Sequence, residues 1–246
     1  MRNIKLTIEY EGTGYLGWQR QKRGPTIQET IETALEKITK HRITLIGSGR
    51  TDTGVHALAQ VANFKTTTRL TSAQFQLALN SILPKDIVVI NAEDVDQDFH
   101  SQFDSRSKIY IYKILNSPQP SALRRLRCWH VIQPLKTQEM EEAAISLLGE
   151  HDFKAFALSD KGINSTVRSV LNVRLEPNEY DLLEFEIEAT GFLKRMVRMF
   201  VGTLVQVGKG KITPLNFRTI LESGERTKYV RAAPPWGLYL KEVKYG

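Results

Sequence analysis

The sequence predicts an α+β fold in which strands and helices alternate along the whole chain. Three observations carry this. Ile4, Leu6, Ile8 and Tyr10 alternate with Lys5, Thr7 and Glu9, the period of two that marks a half-buried strand. Ile27, Ile31, Ala34, Leu35 and Ile38 then form one apolar stripe at helical spacing. Short apolar runs and capped helical patterns follow one another through to Leu240.

Each element has its own signal. Glu11 to Pro25 is a glycine-punctuated loop carrying Tyr15, Trp18, Gln19, Arg20, Lys22 and Arg23. Aromatics mixed with cations suit base stacking and phosphate pairing; the same residues also suit a surface loop with Trp18 tucked onto the core. Thr26 and Glu29 predict a capping box at the start of the first helix. Ile43 to Ser48 reads as a strand, as do Gln60 to Lys65 and Ile87 to Glu93. A helix from Thr71 to Ile82, stopped by Pro84, lies between the last two. This strand–helix–strand–strand–helix–strand order fits a ferredoxin-like split unit.

Beyond Asp98, Ser105 to Lys113 alternates as a strand with Tyr110 and Tyr112 on one face. Ser117 to Pro120 is a hinge-like break, and Arg124, Arg125 and Arg127 form a small basic cluster, suited to phosphates or to a solvated loop. Thr137 to Leu148 predicts a helix capped by Thr137 and stopped by Gly149. Asp152, Phe153 and Phe156 read as a packing turn. Strands are expected from Thr166 to Leu175 and from Leu182 to Ala189, joined through Glu176, Pro177 and Asn178. Gly191 to Val207 predicts an amphipathic helix, with Phe192, Met196, Val197, Phe200 and Leu204 on one side. Lys194, Arg195 and Arg198 cluster on another. Thr213 and Pro214 open a last helix through Leu221, and Ala233 to Leu240 enters a final strand.

Composition narrows the class. The 246 residues carry a net charge of +7, which favours a polyanionic partner. There is no run of about 18 apolar residues, so no spanning helix is expected. The N-terminus passes directly into a strand pattern without a signal-peptide core. One cysteine, Cys128, excludes an internal disulfide and fits a reducing cytoplasm; it reads as a small apolar filler beside Trp129. The five histidines show no ligand spacing, so no metal site is expected.

The chemistry concentrates in Gly47 to Ala57, where three glycines bracket Arg50 and Asp52. Glycine permits positive φ and close backbone approach, so this reads as a tight loop between strands; Asp52 bonding its own backbone is the bland alternative. Three other readings fail. A Walker A loop needs Lys where Val55 stands. A dinucleotide fingerprint needs a third glycine where Asp52 stands. An aspartic protease needs a second D-T-G or D-S-G, and none occurs.

Gly49 to Ala57 resembles instead the G-R-T-D-x-G-V-H-A motif of the tRNA pseudouridine synthase A family, without a gap. Gly17 to Gln21, Tyr110 with Tyr112, Phe192 to Gly202 and Ala233 to Leu240 are similar to further motifs of that family, in the expected order. One position departs: Arg195 stands where the family often has His. The resemblance implies a pseudouridine synthase fold, in which two ferredoxin-like α/β halves form a continuous, mainly antiparallel sheet with helices outside and a central cleft. The expected halves are 1–104, carrying the motif loop, and 105–246.

The resemblance also implies isomerisation of uridine to pseudouridine in the anticodon stem-loop of tRNA, by a homodimer and without a cofactor. Asp52 is then the nucleophile or base, Arg50 orients it or fills the gap left by a flipped base, and Tyr110 stacks on the base and assists proton transfer. Tyr112 packs nearby. Leu238 lines the site, and Arg20 and Arg198 contact substrate. Attack at C1′ or C6 and a glycal route stay open alternatives. The runner-up function is a non-catalytic RNA-binding protein on the same fold; a hydrolase using Asp52 ranks lower because no partner carboxylate lies near it in the sequence.

Overall fold

The computed structural model describes residues 1–158, 164–178 and 182–246, the side chain of Asn178 excepted. They form two compact units, Met1–Arg106 with Tyr239–Gly246, and Ser107–Leu238. Both mix helices with mainly antiparallel strands, as expected of an α+β chain.

In the first unit, β1 (Arg2–Tyr10) lies between β3 (His56–Thr66) and β4 (Ile87–Val95), antiparallel to both. Its alternation holds, since Ile4, Leu6 and Ile8 have no exposed surface. The helices α1 (Ile27–Thr39) and α2 (Ser72–Ile82) keep their predicted places. Thr26 caps α1 by accepting from the Glu29 N–H. The Glu29 carboxylate, however, lies 3.5 Å from Arg20 Nε instead of closing a box. A complete box forms on α2, between Thr71 and Gln74.

The strand expected over Ile43 to Ser48 shrinks to β2 (Ile46–Gly47). Its backbone finds other partners: the Leu45 N–H donates to Glu32 and the Leu45 carbonyl accepts from Gln28, both on α1. The far edge of β3 is also shared. β2 pairs antiparallel at Asn63 and Ala62, and β10 (Leu238–Tyr245) pairs parallel at His56 and Ala57. The segment from Ala233 thus enters the final strand at Leu238, through a 3-10 turn at Pro235–Gly237.

The second unit contains β5 (Ser105–Asn116), β6 (Trp129–Val131), α3 (Thr137–Ile145), β7 (Gly149–Asp152), β8 (Val167–Asn178), β9 (Leu182–Ala189), α4 (Met196–Gly208) and α5 (Pro214–Ser223). Its ladder runs β5-β9-β8-β7, antiparallel throughout, with β6 parallel to β5. Three expectations shift. Thr137 is the first helical residue of α3, with Lys136 at the cap, and the helix ends at Ile145. Gly149 must leave helical geometry because it already pairs with Val170. Glu176, Pro177 and Asn178 remain in β8, with Pro177 opposite Leu183; the connection that follows lies outside the described residues.

The third shift concerns α4, which starts at Met196 and not at Gly191. Arg195 holds a left-handed conformation (φ +62°) that a right-handed helix cannot absorb. The helix is also buried on nearly every side, so the expected amphipathic face is absent. Lys194 and Arg195 are exposed ahead of it, and Arg198 is half-buried in its first turn. Phe200 is its core anchor, edge-on to Phe153 at 5.3 Å and to Phe156 at 5.2 Å. Phe200→Ala is expected to lower unfolding free energy by about 3–5 kcal/mol, read as a fall in the denaturant midpoint.

Candidate active site

Two structural needs shape the Gly47–Ala57 stretch: a tight turn, and a bed close enough to hold it. The Val55 N–H donates to the Asp52 carbonyl at 3.1 Å, closing a turn with Gly54 at φ +78°. The 11–25 loop supplies the bed. Trp18 N–H donates to the Thr51 carbonyl (3.1 Å), and Gly54 N–H to the Tyr15 carbonyl (3.3 Å). Approach is so close that a Cβ on Gly17 would fall 2.5 Å from the Thr51 carbonyl, and one on Gly12 only 1.9 Å from that of Val55.

Trp18 is part of this bed and not a free stacking platform. It is 3 % exposed and lies over Gly47, where a Cβ would meet its ring at 2.5 Å. Tyr15 is buried as well and donates to Asp86. Of the loop's cations, Arg20, Lys22 and Arg23 stay exposed. Arg20 faces Glu29 and Glu32 of α1, at 3.5 and 3.6 Å.

Below the loop, His56 Nδ1 accepts from the Gly12 N–H at 3.0 Å, which leaves a neutral ring its proton on Nε2. The ring stacks on Tyr239, with centroids 4.7 Å apart. Gln60 ties the incoming arm: its amide oxygen accepts from Ser48 Oγ and the Val61 N–H, and Nε2 donates to the Gly49 carbonyl. From this base Asp52 emerges half-buried and Arg50 exposed. A rigid, buried underside thus presents one carboxylate and one guanidinium two residues apart.

Tyr110, Arg198 and Leu238 belong to the second unit. Tyr110 sits opposite Ile187 in the ladder, 7 % exposed and edge-on to Phe192 at 4.9 Å. Tyr112, fully buried, donates to the Pro234 carbonyl at 2.8 Å, and burial pushes its phenol well above the usual range. Gly237 lies on the same ring, where a Cβ would come within 2.7 Å. Arg198 and Ala233 bond reciprocally: Nε donates to the Ala233 carbonyl, and the Ala233 N–H to the Arg198 carbonyl. These contacts fix the segment that leads into Leu238, which is 5 % exposed.

In the same unit, Arg124 and Arg125 border a pocket of about 330 Å³ whose wall includes Leu115, Cys128, Trp129 and Trp236. Burial pushes the Cys128 thiol up, in keeping with a packing role. Among the described residues, no group of His, Cys, Asp and Glu is placed to hold a metal ion, and no helix is long and apolar enough to cross a membrane.

Sequence reasoning missed Tyr10 and Gln60, which hold the loop from beneath. The available signal was a lone amide, Gln60, inside the otherwise apolar run from Ala57 to Ala62.

The comparisons with known proteins agree with the motif. A family model described as tRNA pseudouridine synthase matches residues 6–104 and 143–246. The chain is 49 % identical over 245 residues to the tRNA pseudouridine synthase A of Thermoanaerobacter sp. (strain X514), covering all of both chains. It is 47 % identical, again over 245 residues and all of both chains, to tRNA pseudouridine synthase A 2 of Clostridium perfringens (strain 13 / Type A). A crystal structure of an archaeal box H/ACA sRNP complex is 14 % identical with a TM-score of 0.36; the match spans 82 % of this chain and 44 % of that one. That likeness is too low to carry weight.

The fold and the loop define an α+β enzyme with a presented carboxylate. The chain belongs to the tRNA pseudouridine synthase family, isomerases that convert uridine in tRNA to pseudouridine.

Proposed function

We propose that Asp52 is the reacting carboxylate and that the substrate uridines lie in the anticodon stem-loop of tRNA. The observation that carries this is the motif loop itself, whose backbone is bonded on both sides of Asp52 while the side chain stays partly open to solvent. In the reaction, the N1–C1′ bond breaks, the uracil turns over in place, and C5 bonds to C1′. The C5 proton leaves and N1 gains one, so atoms balance with no redox step and no group carrier.

Uridine must leave the base stack to reach Asp52, at a cost of a few kcal/mol. Stacking on an aromatic returns about 1–3 kcal/mol per base, and Tyr110 is the residue assigned to it, with its phenol assisting proton removal at C5. Arg50 orients Asp52 or fills the vacated position in the stack, for which a planar guanidinium is suited. Leu238 supplies an apolar wall. Arg20 and Arg198 contact substrate, Arg198 while holding the Ala233 carbonyl. The enzyme works as a homodimer in the cytoplasm, with one tRNA reaching both subunits.

The test is release of tritium from C5-labelled uridine in unmodified tRNA, compared with a transcript whose anticodon-arm uridines are replaced. Release that persists from the replaced transcript overturns the anticodon-arm assignment. A separate measurement addresses the cationic surface. Arg23→Ala and Arg125→Ala are each expected to weaken tRNA binding, and to flatten the slope of log affinity against log salt by about 1 for each phosphate no longer neutralised.

A further inference from the structure

Beneath the motif loop runs a buried polar chain outside the residues proposed to react. We infer that Tyr10, Gln60 and the Thr51 hydroxyl are positioning residues that set the backbone of Asp52, an inference that rests on Asp52 being the reacting carboxylate. Gln60 has no exposed surface. Its amide grips Ser48, Gly49 and Val61. The Tyr10 oxygen is 2.8 Å from Thr51 Oγ1. Burial pushes that phenol up, so it stays protonated and has a hydrogen to give.

Thr51 is therefore held twice, at its hydroxyl by Tyr10 and at its carbonyl by the Trp18 N–H. Asp52 follows directly, with its own carbonyl bonded to Val55. The sheet is built to suit. β3 inserts an extra residue where Ile8 faces Gln60 and Tyr10 faces Ala57, and a bulge re-aims the side chains beside it. Among the described residues, no buried side-chain nitrogen or oxygen lacks a hydrogen bond. A fully satisfied buried network rigidifies the groups it joins, and a reacting group displaced by about 1 Å can lose roughly 100-fold in rate.

The experiment uses the full chain with Tyr10→Phe, Thr51→Val, their double variant and Thr51→Ser, each removing or keeping one hydroxyl at little change of shape. Steady-state tritium release, tRNA binding and thermal unfolding are measured on each. The expected single-variant result is a fall in kcat of roughly 10- to 100-fold with KM and tRNA affinity little changed. Thr51→Ser recovers most of the rate. Because both substitutions cut one chain, the double variant is no slower than the worse single one. A merely structural role would lower the unfolding temperature and leave kcat alone, and that result overturns the inference. So does a double variant whose losses multiply. Should Tyr10→Phe fail to fold, the Thr51→Val and Thr51→Ser pair decides alone by the same criteria. Asp52→Asn in the same assay separates the two readings. An inactive Asp52→Asn beside unaffected hydroxyl variants overturns positioning only, and an active Asp52→Asn overturns the role of Asp52 itself.

Discussion

Asp52→Asn is expected to reduce tritium release by roughly 10⁴-fold or more while tRNA is still retained at low salt. The amide keeps the size and hydrogen-bonding reach of the carboxylate but carries no charge, so it can neither attack carbon nor remove a ribose proton. The bed of the loop is shaped by other groups: its bonds run through the carbonyls of Thr51 and Asp52 and the N–H of Gly54 and Val55. The variant should therefore fold as wild type, and thermal unfolding within a degree or two of it is the control. Activity near the wild-type level would remove Asp52 from the chemistry.

Gly17→Ala is expected to be the most damaging substitution outside the reacting residues. Gly17 holds φ +95°, which costs an L-residue roughly 1–2 kcal/mol. Its Cβ would also press to 2.5 Å on the Thr51 carbonyl, which is backbone and cannot swing away. Relief requires the 11–25 loop to lift, which breaks the Trp18 to Thr51 bond and frees the peptide ahead of Asp52. The combined effect should be a loss of about 2–4 kcal/mol in stability and of roughly 100-fold in kcat. Gly14→Ala is the matched control from the same loop. Nothing lies within 4 Å of its added methyl group, so its rate and unfolding midpoint should stay close to wild type. Equal damage from both would mean that the loop tolerates no side chain for reasons unrelated to the Thr51 contact.

Local chemistry was legible wherever one element decides its own geometry. The alternation of β1, the caps Thr26 and Thr213, and the stripe of α1 follow from periods and short-range hydrogen bonds. The motif loop was legible too, because three glycines around Arg50 and Asp52 have few uses in one run. The limits of β2 and α4 were not. Ile43 and Leu45 are apolar enough for a strand, yet Gln28 and Glu32 of α1 take the hydrogen bonds of Leu45. Phe192 to Val207 has a helical spacing, yet Arg195 breaks it with a single left-handed residue, and the helix beyond is wrapped on all sides.

What the sequence alone determined is the family and the kinds of element that present the residues proposed to react: a glycine-rich turn with one carboxylate, strands with tyrosines, basic segments for an anionic partner. Each is a property of neighbours in the chain. Only the tertiary structure decided what stands beneath the carboxylate. β10 returns from the far end of the chain to pair with His56 and Ala57, and Trp18 is drawn from a basic loop into the bed of the motif. Tyr10, distant in sequence, meets Thr51 beside a bulge in β3, where Gln60 holds Ser48 and Gly49. Hydrogen bonds between residues far apart in sequence have no local period to announce them, and a buried polar group is satisfied only once the whole fold has closed around it.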